Sequence, residues 1–483
     1  ALSLTGLDLY DQGIQPVWIK VENRSEDRAR VVTWSIDRDY YSPIEVAYMN
    51  RKPYSREGYA DMQRWFYDNG LPRVVPAGES RSGLVYTNLR QGTKGFNLTM
   101  VHGGDQLEFT FFLPLPGFVP DFMEVDFAIL YPPGDIRDFD QSGLRQVLEP
   151  ELPCCATDPT GELEGGPINA VLIGKGKTVR RAMLRGGWVE TSTDSSIASK
   201  ARQQSYRGRR PDAIFSLSRQ DGGERLMLHL WMSPWRLEGT PVWLGQVYYV
   251  HEKDPWRQWL ESRAIRDLEV YKSFAQESLV ADIDSAQKFL YQNLWYGGSL
   301  VKVGHLRAME EVPIEQPRTI FSDIAYFTRG LRMVAFLSDE SRALDEVIYL
   351  NKPADHFAGG RPGALFQGRQ VSPPNERIHI QNSGTLTIAT AVPSAEEARK
   401  LFDVDLYGRN IQPVWVQVEN RGDTTLQLTP MGIDPAYFTP REAANRTRSG
   451  LNSDHASRYE SQGQMQLSVC LLYTSPSPRD SGG

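Results

Sequence analysis

The chain has 483 residues, 40% of them apolar and 23% charged, with a formal net charge of -7. That balance fits a globular chain of about three domains, long enough to bury several cores. It excludes a strongly charged disordered chain, and the lack of a basic block argues against a nucleic-acid-binding surface. No run of about 18 apolar residues offers a membrane-spanning helix. Three cysteines, two of them adjacent at Cys154 and Cys155, make neither a disulfide framework nor a C-x-x-C metal spacing. The adjacent pair could join to each other, hold a metal, or serve as small buried residues in a tight corner.

In chain order, "PVWIKVENR" predicts a strand that ends in a polar turn at Asn23–Asp27, with "RARVVTWSI" as its antiparallel partner. Trp18 alternates with Val17 and Ile19, which favours core packing over an exposed ring; an exposed Trp18 or Trp415 could stack on sugars. "SPIEVAYMN" and "EGYADMQRWFYDNG" predict helices, the second with Ala60, Trp65 and Phe66 on its apolar side and Gly70 as its stop. Strands follow at "RSGLVYTNL", "KGFNLTMVH" and "LEFTFFLPLPG", separated by Gly-containing turns. Short strands at this spacing predict an all-β immunoglobulin-like sandwich with a helical insertion over residues 1–150. Val119–Pro153 reads as an irregular, proline-rich exit.

Residues 151–352 alternate differently. "INAVLIG" is a short apolar strand. "KTVRRAMLRGGW" is a helix with Val179, Ala182 and Met183 inward, stopped by Gly186 and Gly187. "DAIFSLSR", "RLMLHLWMSP" and "TPVWLGQVYYV" are strands, the last two a hairpin around "LEGT". "DIDSAQKFLYQNLW" is a helix with Ala286, Phe289, Leu290 and Leu294 inward, and "GLRMVAFLS" closes the unit as a strand. The order predicts an α+β domain with helices over one face of a largely antiparallel sheet. Residues 353–374, rich in Pro and Gly, read as a linker.

The chain then repeats itself. "DLYDQGIQPVWIKVENR" at Asp8 returns as "DLYGRNIQPVWVQVENR" at Asp405. The match runs on through "SIDRDYYSPIEVA" and "GIDPAYFTPREAA", roughly four residues in ten identical over about 40 without a gap. Residues 375–469 are therefore a second copy of the β module. It is led by "TLTIATAVPSAEEARKLF", a strand and then a helix opened by a Ser394/Glu397 capping box. No counterpart leads the first copy, so the first copy is expected to lack its first strand and the second its last ones. An unpaired edge in the first copy could attract the strand near Thr385–Val392 instead. The final stretch, 470–483, is rich in Ser, Pro and Gly, and "CLLYTSPSPRD" resembles a translated sequencing adapter, to be set aside from fold reasoning.

The middle unit resembles the LssY C-terminal domain family. The resemblance is carried in order by "GGPINAVLIG", "MLRGGW", "LHLWMSPWRLEGTPVWLGQV", "DIDSAQKFLYQNLWYGGSLVKVGHL" and "YFTRGLRMVAFLS". The flanking units, with "QPVWIKVENR", "DYYSPIEVAYMNR" and "LPCC", look like the module that precedes it in larger bacterial envelope proteins. The resemblance implies a component of a type I secretion system. It also implies a cell-envelope setting, periplasmic or membrane-anchored as in lipoproteins, beside membrane or lipid-phosphatase domains. It implies no catalytic mechanism. The family pattern places a His shortly before the acidic pair that corresponds to Asp282 and Asp284; "AQESLVADID" has none.

Chemistry-bearing residues are sparse. "GKGKT" follows a strand and opens a helix, but Val171 stands where a phosphate-binding loop needs its first glycine, so a plain strand-to-helix turn is expected. His229 faces away from Leu228 and Leu230, and His251 ends the next strand without lying opposite it. With Asp282 and Asp284 these are the candidate catalytic groups. The bland reading makes Asp284 a helix cap and His229 a residue on a strand face. "GGSLVKVGH" lacks the second glycine of a nucleophile elbow, and His305 is expected in a loop. No cofactor motif and no metal-ligand set is evident. Two functions remain. One is a non-catalytic envelope protein, a scaffold or secretion accessory whose open strand edges take partner strands. The other is an envelope hydrolase acting on a lipid or phosphoester. Convergence of His229, His251 and an acid on one pocket would favour the hydrolase, and their dispersal the scaffold.

Overall fold

The computed structural model describes residues 6–37, 40–89, 93–103, 105–114, 121–191, 204–218, 224–251, 281–313, 316–320, 324–340, 342, 346–350, 377–402, 405–423, 437–438 and 442–443. The expected linker at 353–374 and the tail from Cys470 lie outside them. The described residues are mostly β, in several sheets.

The first unit holds strands β1 (Ile14–Glu22) and β2 (Ala29–Val32), helices α1 (Pro43–Met49) and α2 (Arg56–Asp68), and strands β3 (Val74–Val75), β4 (Ser80–Asn88), β5 (Thr93–His102) and β6 (Asp105–Pro114). The expected pairing of β1 with "RARVVTWSI" is not made. β1 runs antiparallel to β4, while β2 joins a sheet of order β3-β2-β5-β6. The core explains the choice. Val17, Ile19 and Val85 of the β1-β4 pair meet Val31, Phe96, Leu98 and Met100 of the other sheet in one cluster. A β1–β2 hairpin would put Val31 in the same layer as Val17 and Ile19, instead of in the facing layer where it packs with them. Trp18 corrects a second expectation. Strand alternation that buries Val17 and Ile19 turns Trp18 outward, 62% exposed.

Helix α1 starts with a complete Ser42/Glu45 capping box and Pro43 in its first turn, and α2 with Ser55 accepting from the Gly58 N–H. The turn after α2 lies directly on β4. A Cβ on Gly83 would come within 2.5 Å of the Gly70 backbone, so only glycine fits there. Beneath this, Lys94 Nζ and Asp37 Oδ2 form a 2.5 Å ion pair with side chains 1% and 2% exposed, and Asp37 also accepts from the Asn88 backbone and amide.

The middle unit begins with β7 (Arg137–Phe139) and helix α3 (Gln141–Leu148), then β8 (Cys155–Thr157), β9 (Glu164–Pro167), β10 (Ala170–Ile173), helix α4 (Gly176–Arg185), β11 (Val189–Thr191) and β12 (Ala213–Ser218). It continues through β13 (Glu224–Leu237), β14 (Thr240–His251), β15 (Ala281–Asp282), helix α5 (Ile283–Tyr296), β16 (Leu300–Arg307), β17 (Arg318–Ile320), β18 (Ile324–Phe327), β19 (Leu331–Leu337) and β20 (Ile348–Tyr349). The main sheet has the order β11-β12-β13-β14-β10-β19-β16-β20, with β7 beside β13. It is mixed: β10–β19, β7–β13 and β16–β20 run parallel and the other pairs antiparallel. The β13–β14 hairpin turns at Glu238 and Gly239, both at positive φ. Its register slips between Met232 and Arg236, where Pro234 has no N–H to donate.

Both faces of this sheet are covered. On one, Leu172, Leu228 and Leu230 pack against Val179, Ala182 and Met183 of α4 and Phe289, Leu290 and Leu294 of α5, as the helical periodicities predict. On the other, Val171, Trp231 and Leu244 pack against Leu144, Val147 and Leu148 of α3. Each such buried side chain contributes about 1.5–3 kcal/mol. Helix α3 lies in the stretch expected to be irregular. Asp140 caps it through the Gly143 N–H at 2.7 Å, and its apolar residues share one stripe. The first unit docks on α4 through three arginines. Arg185 pairs with Glu108 at 2.7 Å, Arg181 donates to Thr110 Oγ1 at 2.7 Å, and Arg180 lies over the rings of Phe112 and Phe122.

The second copy holds β21 (His379–Ser383), β22 (Leu386–Ala391), helix α6 (Ala395–Phe402) and β23 (Trp415–Asn420), in a sheet of order β21-β22-β23. The expected Ser394/Glu397 box is formed. The strand near Thr385–Val392 stays with its own copy. The repeated segment takes the same local structure twice. A 3-10 turn at Tyr10–Gln12 recurs at Tyr407–Arg409, each followed by a left-handed residue, Gly13 or Asn410. Leu9, Ile14 and Val46 are buried together in the first copy, and Leu406, Ile411 and Ala443 in the second.

Breaking the buried pair leaves a lone charge in the core. Asp37→Ala is expected to cost about 3–5 kcal/mol in urea unfolding, and the Asp37→Ala/Lys94→Met double variant to recover most of it.

Candidate functional site

His229 is fully buried on β13, between Ile214 of β12 and Gln246 of β14. It faces away from Leu228 and Leu230 as expected. Its Nε2 is 3.1 Å from the Tyr248 hydroxyl, and Trp231 packs edge-on. The layer above is shaped to fit. A Cβ on Gly165 would sit 2.2 Å from Gln204 Oε1, and one on Gly166 2.2 Å from Gln246 Nε2. The paired glycines of "GGP" thus let two glutamine side chains press onto β9. Asp284 lies in the first turn of α5, where the helix dipole favours it. Its carboxylate accepts from Thr328 Oγ1 at 2.7 Å and the Arg329 N–H at 2.9 Å, fixing the turn before β19. His251 stands opposite Glu224 at the far end of the hairpin from the turn, and Asp282 ends β15. The side chains of both lie outside the described residues. The hydrogen bonds described for His229 and Asp284 therefore go to different partners.

Among the described residues no three His, Cys, Asp or Glu side chains are grouped to hold a metal ion. Cys154 and Cys155 are disulfide-bonded to each other, so the adjacent pair is joined. "GKGKT" is a strand-to-helix turn. The Gly174 N–H donates to Pro241 and its carbonyl accepts from Trp243 Nε1, so this backbone is used within the sheet.

The described concavity is a groove of about 460 Å³ between α3 and the β16–β19 edge of the sheet. Leu144, Leu148, Leu306, Val334, Phe336 and Leu350 wall it, with Gln141, Ser142 and Arg145 at the rim. Arg145 is paired with Glu149 at 2.9 Å. His305 also borders the groove, on strand β16 rather than in the expected loop. Leu306 belongs to the α3-side core and Val303 to the α5-side core. Alternation therefore turns the His305 imidazole towards α5. Burial, and then the charge of Lys288 on α5, hold its pKa down at about 4. The ring is neutral at pH 7 and faces away from the aliphatic wall.

One buried cation places α3. Arg332 of β19 is 0% exposed. It donates from Nε to Ile168 O at 2.8 Å, from Nη1 to Leu148 O at 2.5 Å and from Nη2 to Pro153 O at 2.9 Å. Burial lowers its pKa to about 10, which leaves it charged at neutral pH. Neither α3 nor the role of Arg332 is expected from the sequence. The Asp140 cap with Leu144, Val147 and Leu148 on one stripe could have found the helix; nothing local marks the arginine.

Residues 150–314 match a family model described as LssY C-terminus. The matched span holds β13, β14, α5 and β16, whereas α3 lies before it and β19 after it. The groove is thus built largely from residues flanking the match. No curated protein matches the chain. No helix among the described residues is long and apolar enough to cross a membrane.

Arg332→Met should cost about 3–5 kcal/mol in denaturant unfolding, since it strands buried carbonyls. His305 gives a pH signature. Its folded pKa lies below the unfolded value, so the unfolded chain takes up the proton first. Stability is intact above pH 6.5 and drains by about 3 kcal/mol as pH falls to 4. His305→Gln should remove that part of the acid loss, read as a smaller fall in urea midpoint between pH 7 and pH 4.5.

Proposed function

We propose that the protein is a non-catalytic component of the bacterial cell envelope, a scaffold or secretion accessory. In this reading two immunoglobulin-like β modules, expected at 1–150 and 375–469, flank an α+β unit expected at 151–352. Residues 137–148 pack on the sheet of the α+β unit, which moves the boundary expected at 150 to before Arg137, and a linker at 353–374 precedes the second module. The setting is the periplasm or a membrane-anchored lipoprotein, and the partners are other envelope or membrane proteins.

The supporting observation is where the two described candidate groups, His229 and Asp284, make their hydrogen bonds. His229 is sealed against Tyr248 in the sheet, and Asp284 is tied to Thr328 and Arg329. The described groove is walled by aliphatic and aromatic side chains, with His305 turned away from it. Such a groove can seat an apolar side chain or acyl group of a partner. It offers no evident nucleophile and base in line.

Two measurements test this. Purified protein incubated with a chromogenic phosphomonoester, a phosphodiester and an acyl ester should show no turnover above a heat-denatured control. Turnover that disappears in Asp284→Asn at unchanged Tm would establish the hydrolase instead. An environment-sensitive apolar dye should bind the groove, and Leu350→Glu, at a position already 41% exposed, should weaken that binding about tenfold, or 1.4 kcal/mol.

A further inference from the structure

The repeat shows one strand twice with different neighbours. In the first copy β1 is covered by β4 along one edge, and among the described residues no strand pairs with the other edge. In the second copy the equivalent strand, β23, is covered by β22. The question is whether β4 and β22 address the same edge or opposite ones.

Backbone hydrogen bonds answer it. Residues of an antiparallel strand alternate in the direction of their N–H and C=O groups. The Asn23 N–H donates to Glu79 O, and Gly13 O accepts from the Leu89 N–H. Odd-numbered positions of β1 therefore point towards β4. Trp18, Lys20 and Glu22 point the other way, as does Pro16, whose missing N–H costs the β1–β4 ladder nothing. In the second copy the Arg421 N–H donates to Thr385 O. Arg421 stands at the repeat position of Arg24, so Trp415, Gln417 and Glu419, the counterparts of Trp18, Lys20 and Glu22, point towards β22. The two partners use opposite edges of the same strand. The tryptophans agree with this. Trp18 is 62% exposed, while Trp415, opposite Ala391 of β22, is half-buried.

We propose that the β1 edge presented by Trp18, Lys20 and Glu22 is an acceptor for an antiparallel strand with the chemistry of β22, supplied by the leading hairpin of a repeat of this kind. A filled repeat then has the sheet order β21-β22-β1-β4, with Ala391 of the incoming strand opposite Trp18 and Thr387 opposite Glu22. This is β-strand addition with a fixed register. It stands on the repeat geometry alone and holds whatever the middle unit does.

The test uses the full chain and a synthetic peptide of residues 377–392, read by residue-resolved amide hydrogen exchange. Without peptide, the amides of Trp18, Lys20 and Glu22 should exchange fast and those of Val17, Ile19 and Val21 slowly. Added peptide should slow the first set at least tenfold and leave the second unchanged. The same peptide with Ala389→Pro loses a donor on the pairing edge and should give no protection. The proposal is overturned if the first set is already slow without peptide, if it is unmoved at the highest peptide concentration, or if the proline peptide protects equally well.

Discussion

A fully buried guanidinium holds the middle unit together. Arg332 reaches from a central strand to carbonyls on three separate segments: the end of α3, the loop before the cysteine pair, and the entry to β10. A buried cation is costly unless its donors are met, and here three of them meet backbone oxygens. That requirement fixes where α3 can end. With α3 fixed, the second face of the sheet gains its cover and the groove gains a wall. The other helical layer rests on the apolar stripes of α4 and α5, which tolerate more adjustment, with Gln287 and Asp284 of α5 adding hydrogen bonds to neighbouring segments.

This difference explains what could be read from the sequence. The helices α4 and α5, the hairpin around Gly239 and the repeated strand were legible because each is announced by local periodicity or a local stop. The partner of β1 was not. "RARVVTWSI" is the nearest strand in sequence, yet the core needs it in the facing layer, and only the long-range match of Val17 and Ile19 to Phe96 and Leu98 decides that. Trp18 was misjudged for a related reason. Alternation identifies which residues share a face but not which face is wet, and the branched neighbours take the dry side. Helix α3 was hidden by the prolines around it, although Asp140 and its leucines follow the ordinary capping rule.

The candidate site was legible only as a set of residue types. Its orientation was correct, since His229 does oppose the leucine face. Its chemistry was not decidable, because a histidine beside a tyrosine inside a sheet and a histidine in a cleft share the same pattern along the strand. The aspartate at α5 shows the same ambiguity. Its place in the first turn suits a cap, and the carboxylate is drawn to the Thr328 turn, which no local spacing announces. The groove came from three elements far apart in sequence, two of them outside the span that matches the LssY C-terminus model.

The arginine comb on α4 carries a mechanical consequence. Arg181 and Arg185 grip the outward side of β6 by hydrogen bonds, and Arg180 is held between Phe112 and Phe122. These contacts lie side by side along one helix, so a pull on the first module loads them together in shear rather than one after another. Tension entering at that module would pass into the central sheet through α4.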